Sequence, residues 1–97
     1  MNDFNYYLTE CHMAGVEKGF WDNERNIGEM LMLVVTELSE ALEAHRCNNF
    51  ENFKEEIADT FIRLFDLSDV LCPEIEKEIL KKMEYNKTRP KLHGKRY

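Results

Sequence analysis

A chain of 97 residues has room for one domain with one core and is too short for two. Its 43% hydrophobic and 33% charged residues, with only four Gly and two Pro, suit a helical globule and argue against a disordered or sheet-rich chain. The net charge of −6 argues against polymeric nucleic acid as the main partner, although the stretch from Lys87 onward holds five Lys or Arg and no acid.

Helical periodicity defines four segments of one all-α domain spanning residues 1–97, which ends in a basic tail over 88–97. The first runs from about Asn2 to Lys18, with Phe4, Tyr7, Leu8 and Cys11 on its apolar side, and the stretch Gly19-Phe20-Trp21-Asp22-Asn23 ends it. The second begins between Glu24 and Asn26 and runs to about Arg46, with Ile27, Leu31, Val34, Val35, Leu38 and Leu42 at helical spacing. A turn at Cys47-Asn48-Asn49 leads to the third, about Phe50 to Val70, whose stripe is Phe53, Ile57, Phe61, Leu64, Phe65 and Leu71. Pro73 suits the first turn of a fourth helix reaching about Lys87, and Pro90 ends helical structure before the tail.

Cys11, Cys47 and Cys72 match neither a paired disulfide framework nor a zinc motif and are read as reduced thiols. Met1 is followed by polar residues, and the longest apolar run, Met30 to Val35, is too short to cross a membrane. A signal peptide and a membrane partner are therefore not expected, and the expected location is cytoplasmic.

Two acidic pairs carry the chemistry. Glu37 with Glu40 on the second helix, and Glu56 with Asp59 on the third, are each three residues apart, so each pair shares a helix face. At about 100° per residue, Glu37 falls beside Met30, Leu33, Val34, Ala41 and Ala44, the side expected to be buried, with Glu40 at its edge. A carboxylate in that position must be paired, protonated or metal-bound. Exposed salt bridges account for many single acidic pairs, but two pairs on packed helices suit a hard divalent cation such as Mg²⁺, with Mn²⁺ as a substitute. A di-iron carboxylate site expects Glu-x-x-His motifs, and none of His12, His45 and His93 lies three residues after a glutamate. On the fourth helix Lys82, Asn86 and Arg89 recur at i, i+4 and i+7, where they can hold polyphosphate oxygens; a basic helix C-terminus is the plainer explanation.

With these residues the chain resembles the MazG-like all-α nucleoside triphosphate pyrophosphohydrolases. The resemblance lies in Glu37-Leu38-Ser39-Glu40, a spacer of fifteen residues, Glu56-Ile57-Ala58-Asp59, and the closing segment with Lys82, Asn86, Arg89, Pro90 and His93. Members often carry another Glu immediately before the first motif glutamate, where this chain has Thr36. The resemblance implies a four-helix MazG-like bundle completed by homo-oligomerisation, as a homodimer or homotetramer. It implies Mg²⁺-dependent hydrolysis of an NTP or dNTP between the α and β phosphates, giving a nucleoside monophosphate and pyrophosphate. The metal ligands would be Glu37, Glu40, Glu56 and Asp59, with Glu37 and Glu40 as the two candidates for a catalytic base.

For the nucleotide base, Trp21, His12 and Phe20 are the stacking candidates, Lys18 and Asn23 can add hydrogen bonds, and loop packing is the alternative for the aromatics. So many apolar residues in so short a chain also favour association. Two other functions fit the same residues: a phosphoribosyl-ATP pyrophosphohydrolase of the same superfamily, and a nonenzymatic helical binding module with solvated acids.

Overall fold

A computed structural model describes residues 2–97, the side chain of His93 excepted. It contains four α-helices, α1 (Phe4–Glu17), α2 (Ile27–Arg46), α3 (Phe50–Leu71) and α4 (Ile75–Lys87), then a 3₁₀ turn at Lys91–Gly94, and no strand among the described residues. Each of the first three helices starts where a short polar side chain takes an otherwise unpaired backbone N–H. Asp3 accepts from Tyr6 at 2.9 Å, Asn26 from Glu29 at 2.9 Å and Asn49 from Asn52 at 3.1 Å. The fourth has no such cap, and Pro73 and Glu74 lie in the turn before it rather than in its first turn.

Two helix ends use the left-handed conformation. At the end of α1, Gly19 has φ +85°, and the amides of Gly19 and Phe20 reach back to the carbonyls of Val16 and Gly15 at 3.0 Å each. At the end of α2, Asn48 has φ 58°, and the amides of Asn48 and Asn49 reach His45 and Ala44 at 3.1 and 2.9 Å. Both residues suit this conformation, glycine because it lacks Cβ and asparagine because its short amide tolerates it. These turns set where Trp21 lands and fold α3 back along α2.

Helix α3 is the centre of the molecule, packed on one side by α2 and on another by α1. Leu8 is buried from α1, and Phe65 stacks on Tyr7 and meets Phe4 edge-on at centroid distances of 5.7 and 5.4 Å. Met30, Val34 and Leu67 form the centre of the apolar core, with Trp21 against them. Ala41 and Ala44 are also buried, small enough for the backbones of α2 and α3 to approach closely.

The side of α2 expected to be buried beside Glu37 is therefore the side that packs. The wider stripe read from α2 does not: Ile27, Leu31, Val35, Leu38 and Leu42 are exposed, with Val34 alone of that set buried. On α3 the buried residues are Thr60, Asp66, Leu67 and Ser68, whereas Phe61, Leu64 and Leu71 from the expected stripe are exposed. Both helices carry two apolar faces, and one chain supplies a partner for only one of them. Helix α4 contributes no buried residue, so the four helices do not close into a bundle within one chain.

Candidate metal and nucleotide site

The two acidic pairs come together at the α2–α3 contact. One carboxylate oxygen from each of Glu37, Glu56 and Asp59 lies within 4.8 Å of the other two. Glu40 lies beside Glu56 but outside this group of three, and both border a depression of about 380 Å³ that continues toward Asn49 and Asn52. Helical spacing explains the arrangement: small Ala41 and Ala44 bring the backbones close, and the acids at i and i+3 of each helix then meet.

Glu37 is largely enclosed, its side chain 12% exposed, and it has acquired a partner from the facing helix. Arg63 Nε donates to Glu37 Oε1 at 2.9 Å. This hydrogen bond is the main reason that the Glu37 carboxyl is held below its usual range, against the opposing effect of burial. Glu56 is driven the other way. Its carboxyl is pushed up to about 7, chiefly by sharing a hydrogen bond with the Glu40 carboxyl, then by burial and by Glu37. With all these carboxylates ionised, Glu56 Oε2 is buried and has no hydrogen-bond donor among the described residues. A proton or a cation is what this oxygen lacks.

These residues fit a hard divalent cation. Three convergent carboxylates provide oxygen ligands only, one oxygen has no protein donor, and one carboxyl resists ionisation without a positive partner. Arg63 holds one oxygen of Glu37 and leaves its other oxygen and the remaining acids open toward the cluster.

Next to the acids lies a cleft of about 230 Å³ lined by Glu37, Asp59, Arg63 and Asp66, and by Lys18 and Phe20 from the end of α1 and the following turn. The chain thus brings Phe20 and Lys18 to the acidic cluster. Trp21 and His12, also expected at the base, do not line this cleft; both are anchored to Asp66, with His12 Nδ1 and Trp21 Nε1 each 2.9 Å from its Oδ1. The two rings meet edge-on at 5.2 Å, and Arg25 covers the Trp21 face with its guanidinium 5.2 Å from the ring centre. Asn23 is exposed and lies outside the cleft lining.

Lys82, Asn86 and Arg89 are elsewhere. None of them lines this cleft; Lys82 and Arg89 instead lie over the ring of Tyr85, at 4.9 and 5.1 Å. The expectation that they point toward the core is not met within one chain, because α4 has no buried face to orient Lys82 and Asn86, and Arg89 lies beyond its end at Lys87. Two residues with roles here are less legible in the sequence, Arg63 as the partner of Glu37 and Asp66 as the anchor of two rings. Their signal is periodicity: Glu56, Asp59, Arg63 and Asp66 follow one face of α3.

The three cysteines are free of disulfides. Burial and the Asp66 charge push the Cys11 thiol up, and the Glu43 hydrogen bond pushes the Cys47 thiol up, so neither is primed as a nucleophile. No described helix is long and apolar enough to cross a membrane. In comparisons with protein families, curated proteins and solved structures, nothing matches the chain.

Proposed function

We propose that this chain is a Mg²⁺-dependent nucleoside triphosphate pyrophosphohydrolase of the MazG-like kind, releasing a nucleoside monophosphate and pyrophosphate. The observation that carries the proposal is the meeting of Glu37, Glu56 and Asp59 from two helices within 4.8 Å, around a Glu56 oxygen that has no donor. Glu37, Glu56 and Asp59 would hold the cation, with Glu40 completing the set beside Glu56. When bound, Mg²⁺ supplies charge neutralisation for phosphate oxygens and a coordinated water of lowered pKa.

The chain's own groups have distinct tasks in this reading. Glu37 and Glu40 are the candidates to take the proton of the attacking water, and Arg63 keeps Glu37 ionised and aimed. Lys18, on the adjacent cleft, would meet a phosphate oxygen, and Phe20 would meet the base there; Trp21 and His12 do not line that cleft and would support the base side only through Asp66, to which both are bonded. Lys82, Asn86 and Arg89 would act on phosphate from a neighbouring subunit, since α4 of the same chain does not reach the cleft lining.

A homodimer or homotetramer belongs to the same proposal. Leu31, Val35, Leu38 and Leu42 are exposed on α2 at alternating spacings of four and three, the seam of paired helices. Leu80 and Met83 on α4 are exposed too. A cytoplasmic location agrees with three unpaired cysteines.

The Arg63–Glu37 ion pair also favours a second reading, a helical binding module in which the acids are balanced by cations and no chemistry occurs. Product analysis separates the two. Incubation with a panel of NTPs and dNTPs and Mg²⁺, Mn²⁺ or EDTA should yield monophosphate and pyrophosphate, abolished by EDTA and by Glu37→Gln. Survival of every nucleotide, and of phosphoribosyl-ATP, at high protein concentration would leave the binding module.

A further inference from the structure

A guanidinium carries its N–H donors in a planar fork, and Arg63 commits little of that fork to the protein. Among the described residues only its Nε–H has a partner, Glu37 Oε1 at 2.9 Å. The side chain is 35% exposed and lines the cleft of about 230 Å³ beside the acids, together with Lys18. One permanent cation thus touches the carboxylate cluster and borders the open space next to it, with its Nη donors unspent.

The oxygens around Arg63 limit what else the cluster can hold. Among the described residues one group of convergent carboxylate oxygens is present, from Glu37, Glu56 and Asp59. Two metal ions about 3.5–4 Å apart need anionic oxygens around both, and neighbouring oxygens are already committed. Glu37 Oε1 is taken by Arg63, and Asp66 Oδ1 by His12 and Trp21. Thr36, next to Glu37, adds no carboxylate and turns its hydroxyl back to the Met32 carbonyl at 3.0 Å. Charge sets the same limit. Two dications would balance Glu37, Glu40, Glu56 and Asp59 by themselves, so that with Arg63 in place the cluster would be positive before any anion arrives. One dication with Arg63 leaves a single negative charge instead.

We infer that Arg63 takes the place of a second metal ion: each chain binds one divalent cation, keeps Arg63 on Glu37 while it does so, and offers the free guanidinium edge, with Lys18, to a phosphate oxygen in the cleft. The inference rests on the reading of Glu37, Glu56 and Asp59 as a metal site. A guanidinium suits both tasks at once, because its charge is permanent and its fork can serve a carboxylate on one edge and a phosphate on another. An ammonium in its place keeps the charge and loses the second edge.

Electron paramagnetic resonance of added Mn²⁺ tests this without requiring turnover. At pH 8 the wild type should saturate at one ion per chain, with no signal from a spin-coupled pair. Arg63→Met should take up a second ion, while Arg63→Lys, which keeps the charge, should stay at one. With Mg²⁺ in place of Mn²⁺, proton–nitrogen NMR should show the Arg63 Nε–H, assigned by its loss in Arg63→Lys, still hydrogen-bonded at saturation. Inorganic pyrophosphate should bind the Mg²⁺-loaded Arg63→Lys protein about tenfold more weakly than the wild type, the worth of one hydrogen bond between charged groups.

Two Mn²⁺ per wild-type chain, a coupled pair, or no bound Mn²⁺ at millimolar concentration overturns the inference by itself, whether or not the variants fold. So does loss of the Arg63 Nε–H hydrogen bond when Mg²⁺ binds, a folded Arg63→Met that still holds one ion, or equal pyrophosphate binding by wild type and Arg63→Lys. If the wild type holds two ions and triphosphates are cleaved, the inference fails and the proposed activity stands. If one ion sits beside a retained Arg63 in a protein that cleaves nothing, the inference stands and the proposed activity fails.

Discussion

Arg63 on α3 and Glu37 on α2 form the ion pair that joins the two helices at the acidic cluster, Nε to Oε1 at 2.9 Å. Both side chains are withdrawn from solvent, Glu37 more than Arg63, so this pair differs from the exposed Lys54–Glu51 and Lys87–Glu84 pairs, whose worth is near zero. Replacing Arg63 by Met should leave Glu37 enclosed without its cation and destabilise the fold by about 1–3 kcal/mol. Urea unfolding checks this: the midpoint should fall with little change in slope, whereas Lys54→Met should leave it in place.

The raised Glu56 carboxyl gives metal binding a pH dependence. A cation needs the ionised form, and the group holds its proton up to about 7. Mg²⁺ should therefore raise the melting temperature more at pH 8 than at pH 6, by mass action on the native state. Thermal scans with and without millimolar Mg²⁺ at the two values measure it, and Glu56→Gln should abolish both the shift and its pH dependence.

Without divalent ions the same group affects stability in the opposite sense to Glu37. A carboxyl raised in the folded state binds more protons there than in the unfolded chain, so its effect is to make stability fall as pH rises from the ordinary carboxylate range to about 7. Glu37, lowered by Arg63, contributes stability above its unfolded pKa that is lost as pH falls through its folded value. In EDTA at pH 8, Glu56→Gln should thus unfold at a higher denaturant concentration than the wild type, while losing any activity. A less stable Glu56→Gln would count against the crowding of Glu56 by Glu40 and Glu37.

Gly15→Ala places a methyl group 2.5 Å from Asp66 Oδ2, inside any tolerable contact. Because that neighbour is a carboxylate pinned by two hydrogen bonds, relief requires displacing α1 or breaking those bonds, at a cost of about 1–3 kcal/mol. Unfolding measurements give the cost, and altered Trp21 fluorescence in the folded protein would report the disturbed anchor. Ala14→Ser, at an exposed neighbouring position, serves as the control.

Helix α2 presents Leu31, Val35, Leu38 and Leu42 to solvent in one chain. Leu38→Glu should leave the helix content intact and shift the species seen by sedimentation toward the monomer, because the charge enters the seam and not the core. An unchanged monomer for wild type and variant alike would remove the oligomer from the proposal.

The amino-acid sequence by itself determined the local and one-dimensional features of this protein. Four helices follow from periodicity, and the starts of the first three from Asp3, Asn26 and Asn49 as caps, with Gly19 and Asn48 as left-handed terminators of α1 and α2, all of them interactions within a few residues; the uncapped α4 starts at Ile75, past the Pro73 that the sequence suggests for its first turn. The burial of Glu37 was legible as well, because the small and apolar residues around it mark one helix face. Tertiary structure decided which of two apolar faces on α2 and α3 is packed, since periodicity cannot rank faces of similar hydrophobicity and close approach favours the one with Ala41 and Ala44. It likewise decided the pairing of Arg63 with Glu37 and of His12 and Trp21 with Asp66, contacts between positions 26 to 54 residues apart. Such contacts depend on how helices cross in space, and no local pattern along the chain encodes that crossing.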